Sequence, residues 1–368
     1  MSHNAHKVSA IVPIFNVERY LDQCLNSIEA QTFDDIEIVC VNDGSTDGSL
    51  AIMQAHAARD PRIIIIDKAN EGYGASCNRG IRVSTGDYIA IVEPDDWIEP
   101  GMFGDLLAFA DTLDEPIDII ESAYWRIMHP DTPKQRKLAC SYKGRVRPSH
   151  QPFAVGDGEH LLLHHPSIWT ALYRRSFLEE KGIRFREIPG AGWADNPFLV
   201  ETLCQTDRIA YLDKAYYCYR EDTIEKSLEF ARRNVMLPLE RWNDMMDILE
   251  RIGETDPRVL RAQNKRGFTY AGTAIESVGI EHPGLAEAVT RMMERMDADL
   301  VMSDRELSPG QKRLFCKLTG HPEPRISNLS YAPELARQAF YHVKNNGIAF
   351  TLEQALGFLT RQDKRNAE

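Results

Sequence analysis

Four apolar runs alternate with helical segments across the first hundred residues, and this alternation constrains the fold more than any other feature of the chain. The runs are Val8 to Ile14, Ile36 to Val41, Arg62 to Asp67 and Tyr88 to Val92. Continuous apolar runs of this length read as buried strands. Between them, Glu18 to Ala30 places Tyr20, Leu21, Cys24, Leu25 and Ile28 at a helical period. Ser49 to Arg59 and Ala75 to Thr85 read as two further helices. With short links throughout, the pattern predicts a mostly parallel sheet covered by helices. Such sheets gather ligands beyond the carboxyl ends of their strands. Asn16, Asp43, Asn70 and Glu93 all fall at such ends, so four polar loops converge on one rim.

The fourth strand carries the strongest chemical signal. In GDYIAIVEPDDWIEPG (86–101) the run Tyr88 to Val92 leads into Glu93, Asp95 and Asp96, and Trp97 and Pro100 end the strand. Acids at the mouth of a buried strand lose hydration and repel one another. A divalent cation relieves both penalties, and oxygen ligands at this density suit Mg²⁺ or Mn²⁺. Such ions take most of their shell from water and substrate phosphates. The same residues would also serve as an acidic turn capping the next helix.

Met102 to Leu113 reads as a helix and Ile117 to Tyr124 as a strand. His129 to His150 is irregular and basic, with six Lys/Arg against Asp131. It reads as a solvated loop or hairpin, with an acceptor or lipid-headgroup contact as the alternative. Pro197 opens a helix from Phe198 to Thr206, and Ile209 to Tyr219 reads as a final strand pair. His164 and His165 are adjacent and would face opposite ways in an extended chain, so they read as structural. Beyond Glu229 the period is helical, including Leu285 to Met302 and Pro333 to Asn345. The tail reads as a packed helical subdomain, with a dimerising or membrane-facing surface as the alternative.

Composition removes several classes. The formal net charge is −12, with −13 before residue 231 and +1 after it, which argues against a nucleic-acid binder. Seven cysteines without a Cys-x-x-Cys pair fit a reduced compartment and neither a disulfide framework nor a zinc site. The start MSHNAHKVSA lacks a signal-peptide core, and no apolar run reaches spanning length. The expectation is a cytoplasmic protein, with peripheral contact at the inner face of the membrane left open.

Five segments, in order, resemble one family: VSAIVPIFNVERYLDQCLNSI (8–28), EIVCVNDGSTDGS (37–49), NEGYGASCNRGIRVSTGDYIAIVEPDDWIEPGMF (70–103), SIWTALYRRSFLEEKGIRF (167–185) and WADNPF (193–198). The chain resembles a family 2 glycosyltransferase of the GT-A fold, an α/β architecture with a Rossmann-like, mostly parallel sheet. The resemblance covers residues 8 to about 230. It implies a domain at 1–229, with 8–103 as the nucleotide-sugar and metal half and 104–229 as the acceptor half. Residues 230–368 follow as an α-helical subdomain. The implied activity is inverting transfer of a sugar from a nucleoside diphosphate to an acceptor hydroxyl, with Mn²⁺ or Mg²⁺ as cofactor.

The resemblance also implies roles. Asp43 matches the base-binding Asp, where accepting from uracil N3–H favours a UDP-sugar; an Asx turn uses the same side chain. Pro13, Phe15 and Asn16 form the nucleotide wall. Glu18 contacts base or ribose, or compensates the helix N-terminus. Asn70, Gly74, Asn78 and Arg79 lie near the donor, where glycine permits close approach; a surface salt bridge is the alternative for Arg79. Glu93-Pro94-Asp95 occupies the DxD position with Glu in place of the first Asp, and Asp95 is the metal ligand. Asp195 matches the catalytic base, with an N-cap as the alternative. Ala194 stands where the family often has Glu. Trp193 and Asp96 are acceptor-side candidates. The expected partners are a nucleotide-sugar donor and a glycan or lipid-linked glycan acceptor in surface glycan or polysaccharide synthesis, and a homodimer through the tail stays open. A nucleotidyltransferase would carry a Gly-rich basic loop where Phe15 to Glu18 stand. An inert nucleotide-sugar binder is prompted by Glu93 and Ala194.

Overall fold

The computed structural model describes residues 6–221, 229–230 and 232–366. The chain divides into two compact units, residues 1–292 and 293–368, so helices of the 230–368 stretch stand on both sides of the division.

In the first unit the alternating pattern becomes β1 (Val8–Ile14), α1 (Glu18–Glu29), β2 (Ile36–Asp43), α2 (Ser49–Ala57), β3 (Ile63–Lys68), α3 (Tyr73–Val83) and β4 (Tyr88–Ile91). These four strands are parallel in the order β3-β2-β1-β4. Every residue of β1 and β2 is buried. Their unbroken apolar runs therefore reflect coverage on both faces, as parallel sheets require.

The sheet then changes sense. The next elements are β5 (Trp97–Ile98), α4 (Met102–Ala110), β6 (Ile119–Met128), β7 (Arg136–Ala139), α5 (His160–Leu163), β8 (Leu172–Arg174), α6 (Arg175–Glu180), α7 (Asp195–Leu203) and β9 (Ile209–Glu221). β8 joins β4 antiparallel, β6 follows antiparallel to β8, β9 lies parallel to β6, and β5 closes the far edge antiparallel to β9. The basic stretch after residue 129 forms a hairpin, with β7 antiparallel to β6. Behind it Cys140, Tyr142 and Val146 are buried, so the stretch is not wholly a solvated loop. The expected strand pair at 209–219 is one long strand. It spans 13 residues, because β6 runs beside it for its whole length across a bulge at Ser122 to Tyr124.

Two helices follow in the same unit, α8 (Leu237–Ile252) and α9 (Pro257–Val278). Trp242 of α8 is fully buried and its indole donates to Gln263 O at 2.8 Å. In the second unit Ser308 and Gln311 form a reciprocal capping box on the helix Pro309–Thr319. The long helix Ala332–Asn366 is broken at Gly347, where φ is 85°. The expected helix from 285 to 302 is interrupted after Glu294 and restarts at Ala298, with Asp297 as its N-cap. Among the described residues no helix is long and apolar enough to cross a membrane.

Candidate active site

The loops after β1 and β2 latch each other. Asn16 takes a left-handed φ of 52°. Its Oδ1 accepts from Thr46 N at 2.7 Å, and its own N–H donates to Ser45 Oγ at 3.1 Å. Glu18 Oε2 accepts from Gly48 N at 2.5 Å, and Glu18 N donates to Asp47 Oδ2 at 3.0 Å. Glu18 thus joins the starts of α1 and α2. Pro13 is buried within β1, whereas Phe15 stands 47 % exposed on the rim.

Asp43 ends β2 with 4 % exposure. Its two oxygens accept from Glu71 N and Gly72 N, each at 2.9 Å, and Lys68 pairs with Oδ1. The carboxylate therefore folds the loop carrying exposed Asn70 back over the strand end. Three donors occupy its roughly four acceptor positions, which leaves room for about one more.

The residues of α3 divide in purpose. Asn78 is buried; it donates to Phe185 O at 2.9 Å and Glu187 Oε1 at 3.0 Å and accepts from Phe185 N at 2.9 Å. A Cβ on Gly74 would lie 2.1 Å from Arg186 O. Both residues hold the chain at 185–187 rather than facing open space. Arg79 is exposed, in a cavity of about 700 Å³ shared with Lys68, Arg82, Asp67 and Glu187.

At the acid turn, Glu93 accepts from the Tyr73 hydroxyl at 2.6 Å, and its N–H donates to Tyr217 Oη at 3.0 Å. Burial pushes the Glu93 carboxyl up to about 8, and the charges of Asp95 and Asp195 add to the rise. Pro94 is buried and Asp95 exposed. Asp96 is 2 % exposed and accepts from Arg220 N at 2.6 Å. The Arg220 guanidinium lies between the rings of Tyr20 and Trp97, 4.9 and 4.8 Å from their centroids. Asp96 therefore points into the protein and ties the turn to β9. Asp96→Ala is expected to leave the Arg220 N–H unsatisfied at a cost of about 1–3 kcal/mol, read as a lower urea midpoint; an unchanged midpoint would count against that role.

Asp195 is the first residue of α7, after Trp193 at a left-handed φ of 54°. The helix has no side-chain N-cap, so Asp195 does not serve as one. Its Oδ1 accepts from Asn196 Nδ2 at 3.1 Å. Burial lifts its carboxyl to about 6, against the opposing pull of Arg266. Asp195 lines a cavity of about 630 Å³ together with Trp193, Tyr219, Arg266 and Tyr270. Trp193 stacks on Phe230 with centroids 6.2 Å apart and tilts toward Tyr270. Arg126 and Glu221, also in the wall, form a two-point ion pair with both contacts at 2.6 Å. His164 and His165 line the same cavity, so they are not merely interior packing.

The structure brings Glu93, Tyr73 and Asp195 into mutual electrostatic range: the Asp195 charge raises both Glu93 and Tyr73. Arg266 and Tyr270 were not visible as site residues in the sequence. The available signal was a charged residue among Ala262, Gln263 and Phe268 on the buried stripe of α9.

Residues 9–182 match the family described as glycosyl transferase family 2. Among curated proteins, the uncharacterized glycosyltransferase EpsJ of Bacillus subtilis (strain 168) is 32% identical over 227 residues, covering 58% of this chain and 61% of its own. The chain thus spans about three-fifths of that relative's length. Among solved structures, S. aureus TarS 1–349 is 18% identical with a TM-score of 0.65, covering 92% of this chain and 91% of its own. The same protein in complex with UDP-GlcNAc gives 0.58. The mannosyltransferase PcManGT from Pyrobaculum calidifontis in complex with GDP-Man and Mn²⁺ is 17% identical with a TM-score of 0.53, covering 97% of this chain and 88% of its own. The likeness to these structures is one of fold, and the fold is GT-A.

Proposed function

Because this chain belongs, through residues 9–182, to glycosyl transferase family 2, we propose that it moves a sugar from a nucleoside diphosphate, a UDP-sugar, to an acceptor hydroxyl with inversion. The process served is synthesis of a cell-surface glycan or polysaccharide, from the cytoplasmic side of the membrane. One observation carries the reading: Asp195 opens into a cavity of its own yet acts electrostatically on Glu93 and Tyr73 at the acid turn. A base and a leaving-group site so placed suit direct displacement. Residues 8–103 then serve the donor and 104–229 the acceptor.

Asp195 takes the proton of the acceptor hydroxyl as that oxygen bonds to the anomeric carbon. The bond from that carbon to the diphosphate breaks, and the electron pair leaves with the phosphate. Trp193 and Tyr219 give the cavity apolar faces on which a sugar ring can lie. At the donor end Phe15 presents an exposed ring for the base, and the remaining acceptor capacity of Asp43 suits uracil N3–H. The neighbours of this fold differ in nucleotide, UDP-GlcNAc for TarS and GDP-Man for PcManGT, and Asp43 and Phe15 support the first.

Glu93 and Asp95 suit a divalent cation. As like charges they repel, Asp95 raising the Glu93 carboxyl, and Asp95 is exposed. Among the described residues no group of three or more acidic, His or Cys side chains forms a complete metal site, which fits an ion that relies on substrate phosphate. Asp95, with Glu93 beside it, would hold Mn²⁺ or Mg²⁺, which when bound would neutralise charge on the departing diphosphate.

Thermal unfolding with UDP-GlcNAc or GDP-mannose, each with Mn²⁺ or with chelator, tests this assignment. A ligand at a hundredfold excess over its Kd adds about 2.7 kcal/mol. The expected result is a clear rise in Tm with UDP-GlcNAc and Mn²⁺ and a smaller one with GDP-mannose. Equal rises would remove the donor assignment, and a rise unaffected by chelator would remove the metal.

A further inference from the structure

Asp195 is held by a chain of hydrogen bonds that begins on α9. Asn196 Nδ2 donates to Asp195 Oδ1 at 3.1 Å. Asn196 Oδ1 in turn accepts from Arg266 Nη2 at 3.0 Å and from the Tyr270 hydroxyl. The other nitrogens of Arg266 are committed too: Nε donates to Tyr270 Oη at 2.8 Å and Nη1 to Leu162 O at 2.8 Å. Arg266 is 2 % exposed.

A guanidinium keeps its proton in a protein, so Arg266 places a permanent positive charge in the interior. Burying such a charge is costly without compensation. Among the described residues no carboxylate forms a direct ion pair with it; its three acceptors are neutral oxygens. Asp195, next along the chain of bonds, supplies the opposite charge. We infer that Arg266 is a positioning residue for Asp195, acting through Asn196 to fix the orientation of the carboxylate and to hold it in its ionised form. The inference rests on Asp195 being the base and deepens that reading; Asp195, Asn196 and α9 all lie beyond the matched residues 9–182.

The other groups around Asp195 do not supply this charge. Glu93 of the acid turn and Tyr73 of α3 are both raised and stay protonated where Asp195 titrates, so neither sets a charge beside it there. Glu221 of β9 is paired with Arg126 of β6. Burial holds His164 well below the usual imidazole range and keeps it neutral, while His165 stands exposed in the cavity wall. Tyr270 is neutral and bonded to Asn196.

The test is a direct titration of the full chain, labelled with ¹³C in the aspartate carboxyl carbons and followed by NMR. The Asp195 signal is the one lost in Asp195→Asn. The native midpoint is expected near the value of about 6, and Arg266→Gln should move it upward by about one pH unit or more. An unchanged midpoint in a folded Arg266→Gln protein overturns the inference, because a purely structural role would alter stability without moving it. If that variant does not fold, the native protein still decides. A native midpoint near 6 supports the inference, and one of about 8 or higher, as for a carboxyl buried without a facing cation, overturns it. The base reading is tested separately: Asp195→Asn retaining native transfer would remove the base even where the Arg266→Gln shift is found.

Discussion

Asp195→Asn should bind a UDP-sugar as the native chain does and transfer it about 10²–10⁴-fold more slowly, the range a general base contributes. The amide has nearly the carboxylate's shape but cannot take the acceptor's proton. Among the described residues, Asn16, Asp43 and Glu93 make no hydrogen bond to Asp195, so the geometry of the donor loops should survive the change. The measurement is a pair of numbers: the donor Kd and the rate of UDP release with acceptor present. A fall in rate with an unchanged Kd is the expected pattern. Native-rate transfer by the variant would remove Asp195 from the chemistry. The native enzyme carries its own check in pH. A base works only when ionised, and the Asp195 carboxyl sits at about 6, raised by burial and restrained by Arg266. The rate should therefore fall as pH drops through about 6, two units above where an exposed aspartate would place that limb.

The donor rim was legible because its causes are local. β1 and β2 are buried on both faces, so each shows as an unbroken apolar run, and a polar residue marks the place where each reaches the rim. The short strand β5 was not legible. Trp97 and Ile98 pair with Cys218 and Tyr217, about 120 residues away, and two residues carry no period of their own. The partner of Glu93 was hidden as well, though only 20 residues separate the two. The sequence placed an acid there, but nothing in it tied that acid to Tyr73, on a different element. Arg266 was hidden for a further reason. A charged residue inside a helical run reads as part of a solvated face, and only the packing of α9 against α5 and α8, with hydrogen bonds to Leu162 and Asn196, turns it inward. Asp96 illustrates the converse: two adjacent acids look equivalent in sequence, yet the turn sends Asp95 outward and Asp96 beneath Arg220 N.

Gly74→Val is the second large effect, expected at about 3 kcal/mol or more of lost stability, the upper end for overpacking because the opposing atoms are backbone. A Cβ at this position would stand 2.1 Å from Arg186 O and 3.0 Å from Arg186 C. Both are backbone atoms, so no side-chain rotation relieves the clash. The neighbouring contacts resist a local shift as well. Gly72, at a φ of 97°, has room for no Cβ, since Ile188 O would lie 2.5 Å away. Tyr73 N donates to Gly190 O at 3.0 Å, and Asn78 grips Phe185 in both directions. The segment from 185 to 190 is thus laid along α3, and it leads directly into Trp193 and Asp195. The close approach that glycine permits here is to the protein's own backbone, not to a bound diphosphate. A displaced segment would move Asp195 relative to Glu93, so transfer should fall further than the loss of folded protein accounts for. Gly272→Ala on α9, where an added Cβ meets nothing within 4 Å, is the control and should be neutral or gain up to about 1 kcal/mol. Urea unfolding of both variants, with transfer rates taken where each is fully folded, separates the two effects. A Gly74→Val protein with the native midpoint and rate would mean that α3 does not seat the segment carrying the base.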